Sequence, residues 1–402
     1  MRTSSSKMFS FTDPEFVADP YPQLAELRKH SGPIWHEESQ LFLAAKYKDA
    51  NQVLRTRTLG RIFSPREPED AWESFNYLHA DSILDSEPPK HTRLRSLVMK
   101  AFNPKRIEEL RPDVERITQR LLDGIEAKLE NNESFDLIAD FAEPLPVMVI
   151  AELLGFPESD EHLLRPWSQA IVKMYEPSPT EEEKSAARQA SDEFAAYVHG
   201  LMVERQKDPG NDLISELALV EEQGEKLSAR ELIATCVLLL NAGHEASVNG
   251  FGNGMVAALR TESQWQNLSA DPRGMAATAV DEFLRFDAPL HLFERTATED
   301  TEVGGVVVPK GKKIAALLGS ANRDGAIFEN PDELDLSRLP NPHIGFGAGI
   351  HFCIGAPLAR MEMSVALPAL ITRFPTLQLA GDPVSRGTFV LRGWESVPVT
   401  LA

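Results

Sequence analysis

The sequence predicts a mainly α protein with a minor antiparallel β portion, folded as a single large domain over residues 1–402. Three observations carry that expectation. Helical periodicity, with apolar residues recurring every three to four positions, dominates from about residue 91 to residue 290. Strand-and-turn patterns flank this helical body on both sides, which suggests a sheet assembled from both chain ends. No solenoid repeat and no low-complexity linker divides the chain.

The elements follow in order. Residues 1–14 open on the polar run Met1-Arg-Thr-Ser-Ser-Ser-Lys-Met and read as a flexible tail. A short helix over 23–29 ends at Ser31-Gly32-Pro33, where glycine and proline break the pattern. Strands over 34–35 and 41–45 precede a helix over 47–54. Residues 58–84 read as loop, punctuated by Gly60, Pro65 and Pro68. Helices are then expected over 91–101, 105–131, 142–154, 161–175, 181–206, 228–260 and 275–285. Ser228 and Glu231 form a capping-box pattern that opens the long helix over 228–260. Its middle, Ile233 to Ala242, is apolar all round, so it should be buried on every side. Val303-Gly-Gly-Val-Val-Val-Pro-Lys-Gly reads as strand, turn and strand. A last helix over 356–373 and strands over 389–391 and 397–401 complete the chain.

Composition removes several functional classes. Sixty-one acidic against 41 basic residues give a net charge of −20, which disfavours nucleic-acid binding through phosphate neutralisation. Two cysteines, Cys236 and Cys353, fit a reducing cytoplasm rather than a disulfide scaffold. The polar start lacks the apolar core of a signal peptide. No run approaches the roughly 20 apolar residues that span a bilayer, so no membrane association is expected.

The most informative stretch is Phe346-Gly-Ala-Gly-Ile-His-Phe-Cys-Ile-Gly-Ala-Pro-Leu-Ala-Arg360. Its three glycines, Gly347, Gly349 and Gly355, imply sharp turns or close backbone approach just before a helix. Cys353 would sit at the helix entrance, where free N–H groups and the positive dipole end lower a thiol's pKa. One cysteine alone cannot build a zinc site or an iron–sulfur cluster. A lone thiolate suits a haem iron or nucleophilic catalysis.

This segment resembles, position for position, the haem-ligand signature of the cytochrome P450 monooxygenases, through Phe346, Gly347, Gly349, His351, Cys353, Gly355, Leu358, Ala359 and Arg360. The resemblance extends from about residue 15 to the end of the chain. It implies a P450-like fold around a buried haem b, with Cys353 as axial thiolate, Phe346 as its apolar shield and His351 as a partner of a haem propionate. It also implies that His91 and Arg95, spaced i, i+4 on one helix face, bind a propionate together with Arg295. Glu282-Phe-Leu-Arg285, about 70 residues before the cysteine, resembles the family's Glu-x-x-Arg motif. Arg338 would complete a structural three-residue ion cluster with it.

Asn241-Ala-Gly-His-Glu-Ala-Ser-Val248 resembles the family's oxygen-activation motif, with one departure. Glu245 matches the acid, but Ala246 occupies the usual threonine position, and Ser247 points about 100° away around the helix. The threonine normally donates a hydrogen bond to the dioxygen being activated. The expectation is that a substrate hydroxyl or ordered water replaces it, with Glu245 feeding protons. Ala242 and Gly243 leave room for a bound molecule and a widened helix turn.

Matching positions place the substrate walls at Phe75, Leu78, Val172, Leu239, Ala242 and Ala246, and at Leu290, Leu292, Val390 and Leu391. Their aliphatic character implies a hydrophobic small-molecule substrate. His79, His244 and His291 are candidate polar contacts. Seven bases and two acids between Lys90 and Arg111 make a local +5, a surface on which an acidic electron carrier could dock. The expected partners are therefore a ferredoxin-type electron donor with its reductase, dioxygen and the substrate. The expected activity is insertion of one oxygen atom from dioxygen. Two alternatives stand beside it: a non-catalytic haem sensor or carrier, kept open by Ala246, and a peroxide-using variant.

Overall fold

In a computed structural model of the chain, the structure describes residues 9–130, 134–176, 179–220 and 224–402. Helices form the bulk of the fold, and the helix Ala229–Arg260 runs through its middle. Ser228 and Glu231 cap it reciprocally: the Glu231 N–H donates to Ser228 Oγ at 3.2 Å, and the Ser228 N–H to Glu231 Oε2 at 2.9 Å. Helices Glu73–Ala80, Pro144–Leu154, Glu161–Val172, Glu181–Lys207, Pro272–Phe286 and Ala356–Arg373 pack around it. Close crossing is possible because Gly254 lacks a side chain; a Cβ there would lie 1.9 Å from Phe283 Cγ. The helix stays α throughout, so the widened turn expected near Gly243 does not form. A π turn instead occupies Ile138–Ala142, ahead of Pro144–Leu154.

The main sheet has five strands in the order Ile34–His36, Leu41–Ala44, Lys313–Leu317, Leu292–Ala297, Leu59–Gly60. One ladder corrects the purely antiparallel expectation: Leu41–Ala44 runs parallel to Lys313–Leu317, with Leu41 opposite Lys313. Parallel neighbours need a long crossover, and the whole helical body supplies it. The C-terminal strand Pro398–Leu401 does not join this sheet. It lies between Ser134–Asp136 and Leu377–Leu379 in a separate sheet, so the two chain ends build different sheets. Residues 389–391 form no strand; Leu391 makes a single bridge to Leu290.

Five short helices missed by periodicity are present: Pro14–Ala18, Glu73–Ala80, Leu213–Leu219, Glu262–Ala270 and Leu318–Ala321. Helices this short are marginal alone and depend on tertiary packing, as Phe75 and Leu78 do in the main core. The single helix expected over 105–131 is two, Pro104–Glu109 and Arg111–Leu129, because Pro112 favours a fresh first turn. The tail expected over 1–14 is also corrected where it is described; residues 1–8 lie outside the described residues. Phe9 stacks on Phe16 at 4.1 Å, and Phe11 is buried against Phe16 and Phe389. Among the described residues, no helix is long and apolar enough to cross a membrane.

Candidate active site

The cysteine loop is shaped by its glycines. Gly347 and Gly349 take φ of +71° and +72°, and a Cβ on Gly349 would stand 2.4 Å from the Leu54 carbonyl oxygen. The chain then makes a 3-10 turn over Gly349–His351, and the Cys353 N–H donates to the Phe346 carbonyl at 3.0 Å. Helix Ala356–Arg373 starts immediately beyond Gly355, so the N–H groups of Gly355 and Ala356 face the sulfur. Arg95 and Arg360 add positive charge nearby. The N–H groups at the helix entrance lower the thiol as expected, but burial outweighs them and the net push is upward. Phe346 lies against this loop, with the Arg360 guanidinium 4.5 Å from its ring centre.

Beside the loop lies a rim of buried donors. His91 is 2% exposed, and its Nε2 has no partner. Burial, with His351 and Arg95 nearby, brings His91 down to about 4. Arg295 is also 2% exposed; one guanidinium nitrogen donates to the Glu294 carbonyl at 2.9 Å, while Nη2 has no partner. Burial lowers Arg295 to about 9. Unsatisfied buried donors are costly, so this pair is suited to an anionic acceptor such as a carboxylate. His351 stands 4.4 Å from the His91 ring, and its Nε2 is 2.9 Å from Glu87 Oε1. Glu87 also accepts the Arg61 N–H at 2.7 Å. Arg95 reaches the Phe352 carbonyl at 2.8 Å, steadying the residue before the cysteine. A cavity of about 370 Å³ opens here, bordered by Leu54, Arg55, Glu87, Arg295, Gly349 and His351.

On the central helix, Leu238, Ala242 and Ala246 recur at i, i+4 and i+8 as accessible positions among buried ones. A helix packed on several sides yet open along one stripe borders interior space. Ser247 is partly accessible one position on, and Leu239 is almost buried. Glu245 is 4% exposed and is held by Arg386, whose Nη1 donates to Glu245 Oε2 at 2.6 Å. Burial pushes the Glu245 carboxyl up against the lowering effect of Arg386. His244 is fully buried with neither ring nitrogen partnered, and burial takes it down to about 3.

The wall candidates fall into distinct groups. Leu290 and Leu391 bridge, and the His291 N–H donates to the Val390 carbonyl at 2.9 Å. The Leu391 N–H donates to Glu176 at 3.0 Å, which brings the segment just beyond Val172 against this loop. Phe75 and Leu78 are 3% exposed in the main core, where His79 stacks on Phe75. His79 is satisfied by the Phe75 carbonyl at 2.7 Å and the Tyr175 hydroxyl at 3.1 Å. Leu292 packs instead into the cluster of Phe11, Phe16 and Phe389, because strand alternation turns it to the other side, and Val390 packs against the same cluster.

Glu282, Arg285 and Arg338 come together behind the cysteine helix. Arg285 Nε and Nη2 each donate to Glu282 at 2.7 Å, and Arg338 Nε donates to Glu282 at 3.1 Å. The remaining Arg285 donors reach the carbonyls of Asn322, Pro331 and Glu333. The basic run at 90–111 is less of a face than its charge count implies. Lys90 pairs with Asp81, Arg93 with Glu231 and Arg111 with Glu108, while Arg106 is buried against Asn211. Met99, Ile350 and Phe352 are exposed, and so is Lys105, whose ammonium lies 3.7 Å from Glu109.

Sequence reasoning missed Glu87, Glu143 and Arg386. Each acts across a long separation in the chain, and none carries a local pattern. Among the described residues, no group of three His, Cys, Asp or Glu side chains is arranged to hold a metal ion by itself.

A family model described as "Cytochrome P450" matches residues 15–263 and 274–387. "Putative cytochrome P450 YjiB" of Bacillus subtilis (strain 168) is 40% identical over 362 residues, covering 89% of this chain and 88% of that protein. "Polyketide biosynthesis cytochrome P450 PksS" of the same organism is 38% identical over 412 residues, covering 98% and 99%. The solved structure of P450BioI in complex with hexadec-9Z-enoic acid ligated acyl carrier protein superposes with a TM-score of 0.91 at 32% identity, covering 97% of this chain and 99% of that one.

Proposed function

The chain belongs to the cytochrome P450 family, a haem b monooxygenase served by a redox partner, and from that premise we propose that Cys353 is its axial thiolate. The observation that carries this reading is the glycine-shaped loop holding Cys353 beside two buried, unpartnered donors, His91 Nε2 and Arg295 Nη2. Those donors fit the haem propionates, with His351 beside them and its ring fixed by Glu87. When bound, a thiolate-ligated haem activates dioxygen for insertion of one oxygen atom into the substrate. Phe346 shields the sulfur, and Arg95 steadies the loop through Phe352. Glu282, Arg285 and Arg338 hold the structure behind the cysteine helix.

The substrate is a hydrophobic small molecule bordered by Ala242 and Ala246 of the central helix, with Leu290 and Leu391 closing one side. Glu245 supplies protons to this space. Because position 246 offers no hydroxyl, the substrate or an ordered water provides the hydrogen bond that a threonine would. Ala246→Thr is therefore expected to change the ratio of oxygenated product to reductant consumed. Measuring both with peroxide release tests this; an unaltered ratio would exclude the substitute donor.

Electrons come from an acidic ferredoxin-type donor meeting the exposed Met99, Ile350, Phe352 and Lys105. Electrostatic steering predicts reduction that slows steeply as salt rises. Salt-independent reduction would rule that donor class out.

A further inference from the structure

We propose that Glu143 is a positioning residue for Glu245, setting how readily Glu245 releases and recovers its proton through an arginine, Arg386, that both carboxylates share. The inference rests on the reading of Glu245 as the proton source and goes beyond it to a residue on another helix.

Three segments distant in sequence converge on Arg386. Its Nη1 donates to Glu245 Oε2 at 2.6 Å, its Nη2 lies 3.7 Å from Glu143 Oε1, and its Nε donates to the Trp394 carbonyl at 3.1 Å. The last bond fixes the guanidinium within its own C-terminal hairpin, so its two outer nitrogens are divided between the two acids. Both acids are inside: the Glu143 side chain is 3% exposed and that of Glu245 is 5%. Glu143 stands at the start of helix Pro144–Leu154 and is fixed from helix Glu161–Val172. Arg165 lies 2.7 Å from its Oε2, and Gln169 Nε2 donates to its Oε1 at 2.8 Å.

Two buried carboxylates thus compete for one enclosed cation. The other cation, Arg165, is half exposed at 50% and is screened by water. Further charges facing Glu245 come from Lys173 and, more distantly, Arg165. The His244 ring is 3.7 Å from Glu245 Oε1 and is held neutral by burial. Glu143 itself faces Arg165, Arg386 and Glu245, and the like charge of Glu245 raises it. By reciprocity the Glu143 charge must favour the protonated form of Glu245. Glu245 Oε1, buried and without a hydrogen-bond partner, is the oxygen left to carry that proton. Delivery transfers the proton from Oε1 to an acceptor in the substrate space, leaving a carboxylate paired with Arg386. Solvent returns the proton, and no electron moves in this step.

The two neighbours therefore act with opposite signs. Glu143→Gln keeps the side-chain shape but removes its charge, so Arg386 serves Glu245 alone and the carboxylate is favoured. The high-pH fall in coupled turnover should move down by about one pH unit. Arg386→Gln should move it up. A second readout needs no turnover: the infrared carboxylic C=O band of Glu245 in the haem-loaded protein, identified by its loss in Glu245→Gln. Its titration midpoint should shift in the same two directions, with correct folding checked by the thiolate absorption spectrum of each variant. An unmoved midpoint in Glu143→Gln, or movement in the same direction as Arg386→Gln, overturns the proposal. Unchanged coupled turnover in Glu245→Gln would instead refute Glu245 as proton source, and the infrared midpoints would still decide the coupling.

Discussion

Cys353→Ser is expected to leave a folded chain that no longer oxygenates its substrate, with turnover reduced about a thousandfold or more, the scale on which loss of an essential catalytic group registers. The effect is large because serine oxygen is a poor, protonated donor, and no second sulfur stands ready. Cys236, the only other cysteine, is fully buried in the core on the central helix. The loop should survive the change, since its shape comes from Gly347, Gly349 and the Cys353 N–H to Phe346 bond, none of which needs the thiol. His91→Ala is the informative contrast. It removes one donor proposed for a haem carboxylate but keeps the ligand, so the thiolate spectrum should persist while haem is lost faster. A charged hydrogen bond of roughly 1.5–3 kcal/mol corresponds to about tenfold to hundredfold faster loss. Measured side by side, turnover, spectrum and haem dissociation separate ligation from retention. Retained oxygenation in Cys353→Ser would refute the ligand assignment.

Arg285→Leu is expected to destabilise the fold by about 3–5 kcal/mol, a large share of what a domain has. Arg285 and Glu282 are both 0% exposed, so the loss leaves a buried carboxylate paired with the single guanidinium of Arg338, beside the neutral donors of Asp335 and Asn341, and takes a donor from three backbone carbonyls. Those carbonyls belong to the 322–333 stretch that leads to the cysteine loop, whose Ile344 N–H donates to Asn322 Oδ1 at 2.9 Å. Haem incorporation should fall together with the denaturation midpoint. Replacing Glu282 and Arg285 together by Met and Leu should recover part of the stability, because the fully buried carboxylate leaves with its guanidinium and Arg338 keeps the Glu329 carbonyl as an acceptor at 2.8 Å. A loss below about 1 kcal/mol in Arg285→Leu would show that the cluster is not a stabilising element.

Local signals proved legible where the chain's own pattern decides structure. The capping box at Ser228, the apolar run through Ile233–Ala242 and the glycine spacing around Cys353 each specify a backbone without reference to distant residues. Legibility ended where partners come from far away. The parallel ladder between Leu41–Ala44 and Lys313–Leu317 has no signature in either strand. Leu292 alternates toward the N-terminal aromatic cluster because Phe11 and Phe16 fold back there, which a tail reading of residues 1–14 could not anticipate. Arg106 belonged to a run of bases by count, yet Asn211 draws it inside. In the candidate site the residue types were readable but their pairings were not. Glu245 carries a family motif, whereas the arginine that holds it, Arg386, lies 141 positions away.

Binding of the haem iron by the Cys353 thiolate is read out by the absorption spectrum of the reduced, carbon monoxide-bound protein. Thiolate ligation requires a strongly red-shifted Soret band, present in the unaltered chain and absent in Cys353→Ser. A band at the position of a histidine-ligated haem, or an identical spectrum in the two proteins, would contradict it.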